Sequence, residues 1–368
     1  MTGFSVDTHI MRIRAVLVLL SLAAINVLAG AQTRRGELAA GLRPIDSVRI
    51  AETNSLLLSR PNRLVVGNRG HYFVADAAES RVLEITPSGT IVRAFGRKGS
   101  GPGEFQAPGS LAVSGDSLLA VMDVSLGRVA LFDIRTGRYK SGFPLAAGLP
   151  SPTLRIQGAS VFSGRLQSDL RSAVVELSFK GDQVSMEGMI PAVLRAHPEF
   201  VPLFGAVIFA QAGTDTYALF EVSQSLFRWK RGAHAGDEVP IPVVHRKGVK
   251  PGLFESLSRD PSKGETIAFD RSLPFVLEVI RPNVLGLVTL DGTLTKNGFS
   301  GTYFVTVIDL SLRRVCADLE VPAPHDPRPL VAFSGDTLVV LQQGADPTGQ
   351  PASAIRRFRI VTDGCAWL

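Results

Sequence analysis

The sequence predicts an all-β fold, a six-bladed β-propeller of four-stranded antiparallel blades. Three observations carry that expectation. A unit of about 45 to 55 residues recurs along the chain. The clearest units divide into four short strands. Between the strands lie turns rich in Gly and Pro, of which the chain has 36 and 23.

The first full unit is the clearest. Residues 63–95 hold short strands at 64–66, 72–75, 81–85 and 91–95. The breaks are Gly67-Asn68-Arg69-Gly70, residues 77–80, and Pro87-Ser88-Gly89. Arg81, Val82, Leu83, Glu84 and Ile85 mix polar residues at 81 and 84 with apolar ones at 82, 83 and 85, and read as a half-buried strand. Residues 111–140 repeat the pattern. Asp76 aligns with Asp123, Arg81 with Arg128, and Val82 with Val129. The phrase Val113-Ser114-Gly115-Asp116-Ser117-Leu118 returns late in the chain as Phe333-Ser334-Gly335-Asp336-Thr337-Leu338. Weaker units span 154–189, 207–244 and 275–321, and a last one spans 330–361. Six such units cannot bury their faces singly; a closed ring lets each sheet cover the next. Residues 45–58 carry one or two extra strands, and pairing one of them with the final unit closes the ring. Two segments break the rhythm: 189–206, apolar and Pro-spaced, and 245–274, a long connection with a short helical turn at 253–258. Long connections in compact domains are often functional, and decorative insertion is the alternative.

The N-terminus reads as a targeting signal. Arg12 and Arg14 precede an apolar run over 15–28, which ends in Ala29-Gly30-Ala31. The run is short for a membrane span and has the small residues a signal peptidase reads. Residues 1–31 are therefore expected to be removed, with Met11 as an alternative start. Residues 32–368 then form one secreted or periplasmic domain, a monomer with no membrane span. Losing two arginines and one aspartate takes the net charge from +6 to +5. The remaining charges are scattered, without the dense basic stripe of a nucleic-acid binder. An oxidising compartment allows Cys316 and Cys365 to pair across a loop of about 49 residues, worth about 4 kcal/mol in the chain-entropy model. Two buried free thiols, or an exposed Cys365, are the alternatives.

One local stretch stands out: Phe95-Gly96-Arg97-Lys98-Gly99-Ser100-Gly101-Pro102-Gly103-Glu104-Phe105, then Pro108. A nucleotide loop would open a helix directly after its glycines. Here another strand follows. The stretch resembles the blade-to-blade linker of NHL-repeat β-propellers, and residues 61–135 carry the likeness. The glycine loop occurs once in this chain. Gly99, Gly101 and Gly103 are expected to adopt backbone angles closed to other residues. Phe105 is expected to plug the space between blades. The Asp76/Arg81 and Asp123/Arg128 pairs read as structural charge-assisted bonds.

No catalytic motif is present. The six histidines form no H-x-x-x-H or H-E-x-x-H pair. Gly298-Phe299-Ser300-Gly301 approaches a nucleophile elbow, but Thr302 occupies the second glycine position. His71 reads as a surface residue beside a glycine turn. His197 and His245, at the edges of the irregular segments, are the better candidates. The leading expectation is a non-catalytic exported propeller that binds a protein, peptide or glycan on its loop face. Arg97, Lys98, His197 and His245 are its candidate contacts. The alternative is a lyase or lactonase assisted by a divalent metal at the channel mouth.

Overall fold

The computed structural model describes residues 40–53, 55–145, 149–166, 172–223, 225–241, 252–260, 272–295, 298–322, 329–345, 349 and 351–368. The predicted leader, His245 and most of 245–274 lie outside them. The chain divides into two units. One is Met1–Gly41 with Val361–Ala366; the other is Leu42–Ile360 with Trp367–Leu368. Within the smaller unit, the Cys365 N–H donates to the Thr362 carbonyl at 3.1 Å.

The larger unit is a six-bladed β-propeller. Strand β1 (Gly41–Arg49) comes first. Blade one is β2 (Pro61–Val66), β3 (Tyr72–Asp76), β4 (Arg81–Ile85) and β5 (Ile91–Phe95). Blade two is β6 (Pro108–Ser114), β7 (Leu118–Asp123), β8 (Arg128–Asp133) and β9 (Tyr139–Pro144). Blade three is β10 (Leu149–Gln157), β11 (Ser160–Leu166), β12 (Val174–Ser178) and β13 (Gln183–Glu187). Helices α1 (Ala192–Ala196) and α2 (Val201–Phe204) precede blade four: β14 (Val207–Ala212), β15 (Asp215–Phe220), β16 (Ser225–Lys230) and β17 (Gly236–Pro240). Helix α3 (Leu253–Arg259) precedes blade five: β18 (Ser272–Arg281), β19 (Val284–Thr295), β20 (Gly298–Asp309) and β21 (Arg314–Glu320). Blade six is β22 (Leu330–Ser334), β23 (Thr337–Ala345) and β24 (Pro351–Val361), completed by β1 beside β24. The first strands touch in ring order, β2 to β6, β10, β14, β18, β22 and back to β2.

The second strand of a blade explains why the sequence shows solid apolar runs. β3, β7 and β15 are buried at every position. Side chains alternate faces along a strand. On β3, Tyr72 and Val74 enter the core shared with blade six, while Phe73 and Ala75 enter the core shared with blade two. On β7, Leu119 and Val121 face blade one, while Leu118, Ala120 and Met122 face blade three. Each sheet is thus covered by its two neighbours. The fourth strands sit at the rim and differ in exposure: β17 is exposed at every position, while β21 keeps three of its seven residues buried.

The loop between blades one and two is clamped from both sides. The buried Asp123 carboxylate accepts the N–H groups of Gln106 at 2.7 Å and Ala107 at 3.1 Å. It also accepts those of Ser125 and Leu126. Arg128 donates to the carbonyls of Ser100 and Glu104 at 2.9 and 2.7 Å. Blade one repeats this: Asp76 accepts from the Ser59 and Arg60 N–H groups, and Arg81 donates to the Ser55 and Leu57 carbonyls. Asp and Arg stand opposite each other in the ladder, yet their bonds run to main chain. The expected acid-to-arginine bond gives way to backbone clamping, because the loop presents unpaired N–H and C=O groups to them.

Phe105 is fully buried, with its ring 5.8 Å from that of Phe132. Gly103 has φ +73° and Gly99 φ +157°. Gly101 does not share their positive φ. Its constraint is space: a Cβ there would lie 3.0 Å from the Glu104 carboxylate. Neither cysteine is free; Cys316, buried on β21, and Cys365 are both disulfide-bonded.

Candidate functional site

Up-and-down blades sort their loops onto two faces. Links from one blade to the next share a face with the turns between second and third strands. On that face a cavity of about 810 Å3 opens where blades one, five and six meet. Two strand irregularities shape it. The register of β2 shifts between Pro61 and Arg63, and that of β18 between Pro274 and Val276. Such bulges re-aim side chains and are over-represented beside sites. Phe275, inside the second bulge, stands 5.6 Å from Tyr303, ring to ring. Leu64, Leu330 and Leu341 extend the apolar wall. The polar lining is partly engaged: Asn62 donates to the Pro108 carbonyl at 2.9 Å and Gln343 to the Leu58 carbonyl at 2.8 Å.

Arg63 lines both this cavity and the central channel beneath it. Its Nε donates to the Gly109 carbonyl at 3.1 Å. Burial, with a smaller contribution from the like charge of Arg155, lowers its pKa to about 10. It therefore remains a cation at neutral pH. The channel segment holds about 170 Å3. Arg155 of β10 and Glu278 of β18 meet across it at 2.8 Å, and Arg155 also donates to the Leu277 carbonyl at 2.9 Å. Burial raises the Glu278 carboxyl above the usual carboxylate range, against the downward pull of Arg155. This pair ties blade three to blade five through the ring's centre.

The residues singled out in the sequence fall elsewhere. Arg97 is exposed, and its guanidinium is paired with Glu104 at 2.9 Å. Lys98 forms a backbone bridge with Phe105. Together they brace the glycine loop. The Gly101 N–H, then Arg97, hold the Glu104 carboxyl below its ordinary value. His197 follows α1 and stacks on Phe254 of α3, with ring centroids 5.4 Å apart and planes 25° apart. Phe200 stacks on the same ring at 5.3 Å. His197 thus belongs to an aromatic cluster joining two blade connections. His71 is not simply a surface residue. Its Nδ1 lies 2.7 Å from the buried Glu84 carboxylate, which Arg93 approaches from the other side at 3.0 Å.

Arg63, Arg155, Glu278, Phe275 and Tyr303 were not legible as a site. They sit on three blades, from position 63 to position 303, and carry no common spacing. The one available signal is a charge inside an otherwise apolar first strand, as in Arg63-Leu64-Val65-Val66. Among the described residues, no group of three or more His, Cys, Asp or Glu side chains is placed to hold a metal ion. Among the same residues, no helix is long and apolar enough to cross a membrane.

Comparison with known proteins agrees with the architecture. A family model described as a 6-bladed beta-propeller, DUF5128, matches residues 44–149, which include blades one and two. No curated protein matches the chain at a significant level. Solved structures match across most of the chain. A Bacteroides fragilis protein described as exported shares 14% identity, covering 86% of this chain and 95% of its own, with a TM-score of 0.58. A DUF4221-family member from Bacteroides vulgatus shares 8% identity over 88% and 98%, with a TM-score of 0.59. The WD40 repeats of RRP9 share 12% identity over 87% and 99%, with a TM-score of 0.52. At these identities the likeness establishes the fold alone.

Proposed function

We propose that this chain is an exported binding propeller that takes a peptide segment of a protein partner into its mouth cavity. The observation that carries the reading is the cavity itself. At about 810 Å3 it lies within the size range of ligand sites, and its wall is apolar with a few polar groups. It sits on the face where blade-to-blade links gather, the usual place for grafted function on a rigid scaffold. The leader-like segment at 1–31 supports export. The glycine loop supports an NHL-like ancestry, since its Gly-rich link and plugging Phe105 perform the blade-joining role of that family.

The test is selection of displayed peptides against the purified protein. Leu330→Trp, at the start of β22, fills the cavity from a half-buried position. Selected peptides are expected to lose at least about ten-fold in affinity for L330W, roughly 1.4 kcal/mol. Unchanged affinity would place binding on another surface.

A further inference from the structure

We infer that the mouth cavity recognises a carboxylate carried on an apolar body, with Arg63 as its receptor; the inference rests on that cavity being the binding site. Among the described residues, Arg63 is the one charged residue common to the linings of the cavity and the channel. Its Nε is held by the Gly109 carbonyl. Among the described residues, no carboxylate lies within ion-pair distance of it and none bonds Nη1 or Nη2.

Charge balance sharpens this. The channel lining carries Arg63, Arg155 and Glu278 as its charged groups. Glu278 is taken by Arg155. Arg63 is left as a half-buried cation beside a second guanidinium, an arrangement that an anion would relieve. A guanidinium presents two parallel N–H donors that match a carboxylate. Phe275, Tyr303 and Leu341 stand along the cavity wall for the apolar part. The bulge at Asn62 is the reason Arg63 departs from the regular pleat.

The carboxylate could belong to a free organic acid or to a peptide C-terminus. Calorimetric titration with 4-phenylbutyrate and with 4-phenylbutanol tests the shared chemistry. The acid is expected to bind at least about ten-fold tighter than the alcohol. Arg63→Gln is expected to erase that difference, while Arg63→Lys keeps part of it. Raising NaCl from about 50 to about 500 mM should weaken the acid alone; this arm stands even where R63Q fails to fold. Acid and alcohol binding wild type equally would overturn the inference and leave the cavity reading intact. Neither compound binding would overturn both. Acetyl-Leu-Phe and its C-terminal amide separate the sources. Acetyl-Leu-Phe binding tighter than phenylbutyrate, and its amide weaker, assigns the site to a chain end; the reverse assigns it to a free acid.

Discussion

At the scale of single residues, Asp123 shows how one side chain can hold a loop. Four backbone N–H groups, from Gln106, Ala107, Ser125 and Leu126, converge on its buried carboxylate. Those groups belong to two loops that would otherwise carry unsatisfied donors. Replacing it with Ala removes every acceptor at once. We expect Asp123→Ala to cost about 3 kcal/mol in urea denaturation, with Asp123→Asn losing about half as much. A loss below about 1 kcal/mol would mean that water reaches those donors. The alignment of Asp123 with Asp76 was legible in the sequence because the loop geometry repeats in two blades. The bonding was not, since the partners are main-chain atoms that leave no mark on residue identity. Arg97 and Lys98 illustrate the opposite case. A basic doublet in a glycine loop attracts attention, but Glu104, seven residues after Arg97, neutralises the arginine within the loop.

At the scale of elements, strands were legible and the short helices largely were not. A second strand buried on both faces needs an apolar run, and β3 and β7 supply one. Helices of four to seven residues cannot display a helical period. Pro191 and Pro198 constrain the chain around α1 and α2, and the stacking of His197, Phe200, Phe204 and Phe254 joins α3 to them. The contacts join segments about 50 residues apart, beyond any local pattern. Hairpins between third and fourth strands share another device. Asp133 accepts the Thr136 N–H at 2.8 Å, and Asp309 accepts the Ser311 hydroxyl at 2.7 Å and the Leu312 N–H at 3.0 Å. These bonds hold both carboxyls below the ordinary aspartate value near 4. A lowered folded pKa contributes stability above the unfolded value, and that contribution disappears as pH falls through the folded one. The double variant Asp133→Asn/Asp309→Asn is therefore expected to have a lower urea midpoint than wild type at pH 7. The gap should narrow as pH falls below the ordinary aspartate value near 4. A gap of equal size on both sides of that value would show that charge on these turns does not matter.

At the scale of the whole molecule, the ring depends on one strand from the start of the chain. β1 lies beside β24, and the Asp46 carboxylate is paired with Arg357 in a two-point contact. Ile50 N–H donates to the Ser353 carbonyl at 2.9 Å, and Glu52 accepts the Leu58 N–H at 2.8 Å, which continues the seam toward blade one. The ion pair is partly exposed, so Asp46→Asn should cost at most about 1 kcal/mol. The strand is a different matter. Without it, β24 becomes a bare edge whose N–H and C=O groups invite another chain. The seam core of Ile50, Leu83, Ile91 and Ile355 would also lose cover at its rim. A chain starting at Ile50 is therefore expected to melt at least about 5 °C lower than the chain starting at Gln32, and to associate in light scattering. D46N serves as the control, because it weakens the seam while leaving the ladder in place. If the shortened chain stays monomeric and melts with the full one, blade six is complete without β1. Ring closure would then rest on the contact between β22 and β2, the core that blades one and six share, and the bonds from Ile50 to Ser353 and from Gln343 to Leu58, with no strand ladder across the seam.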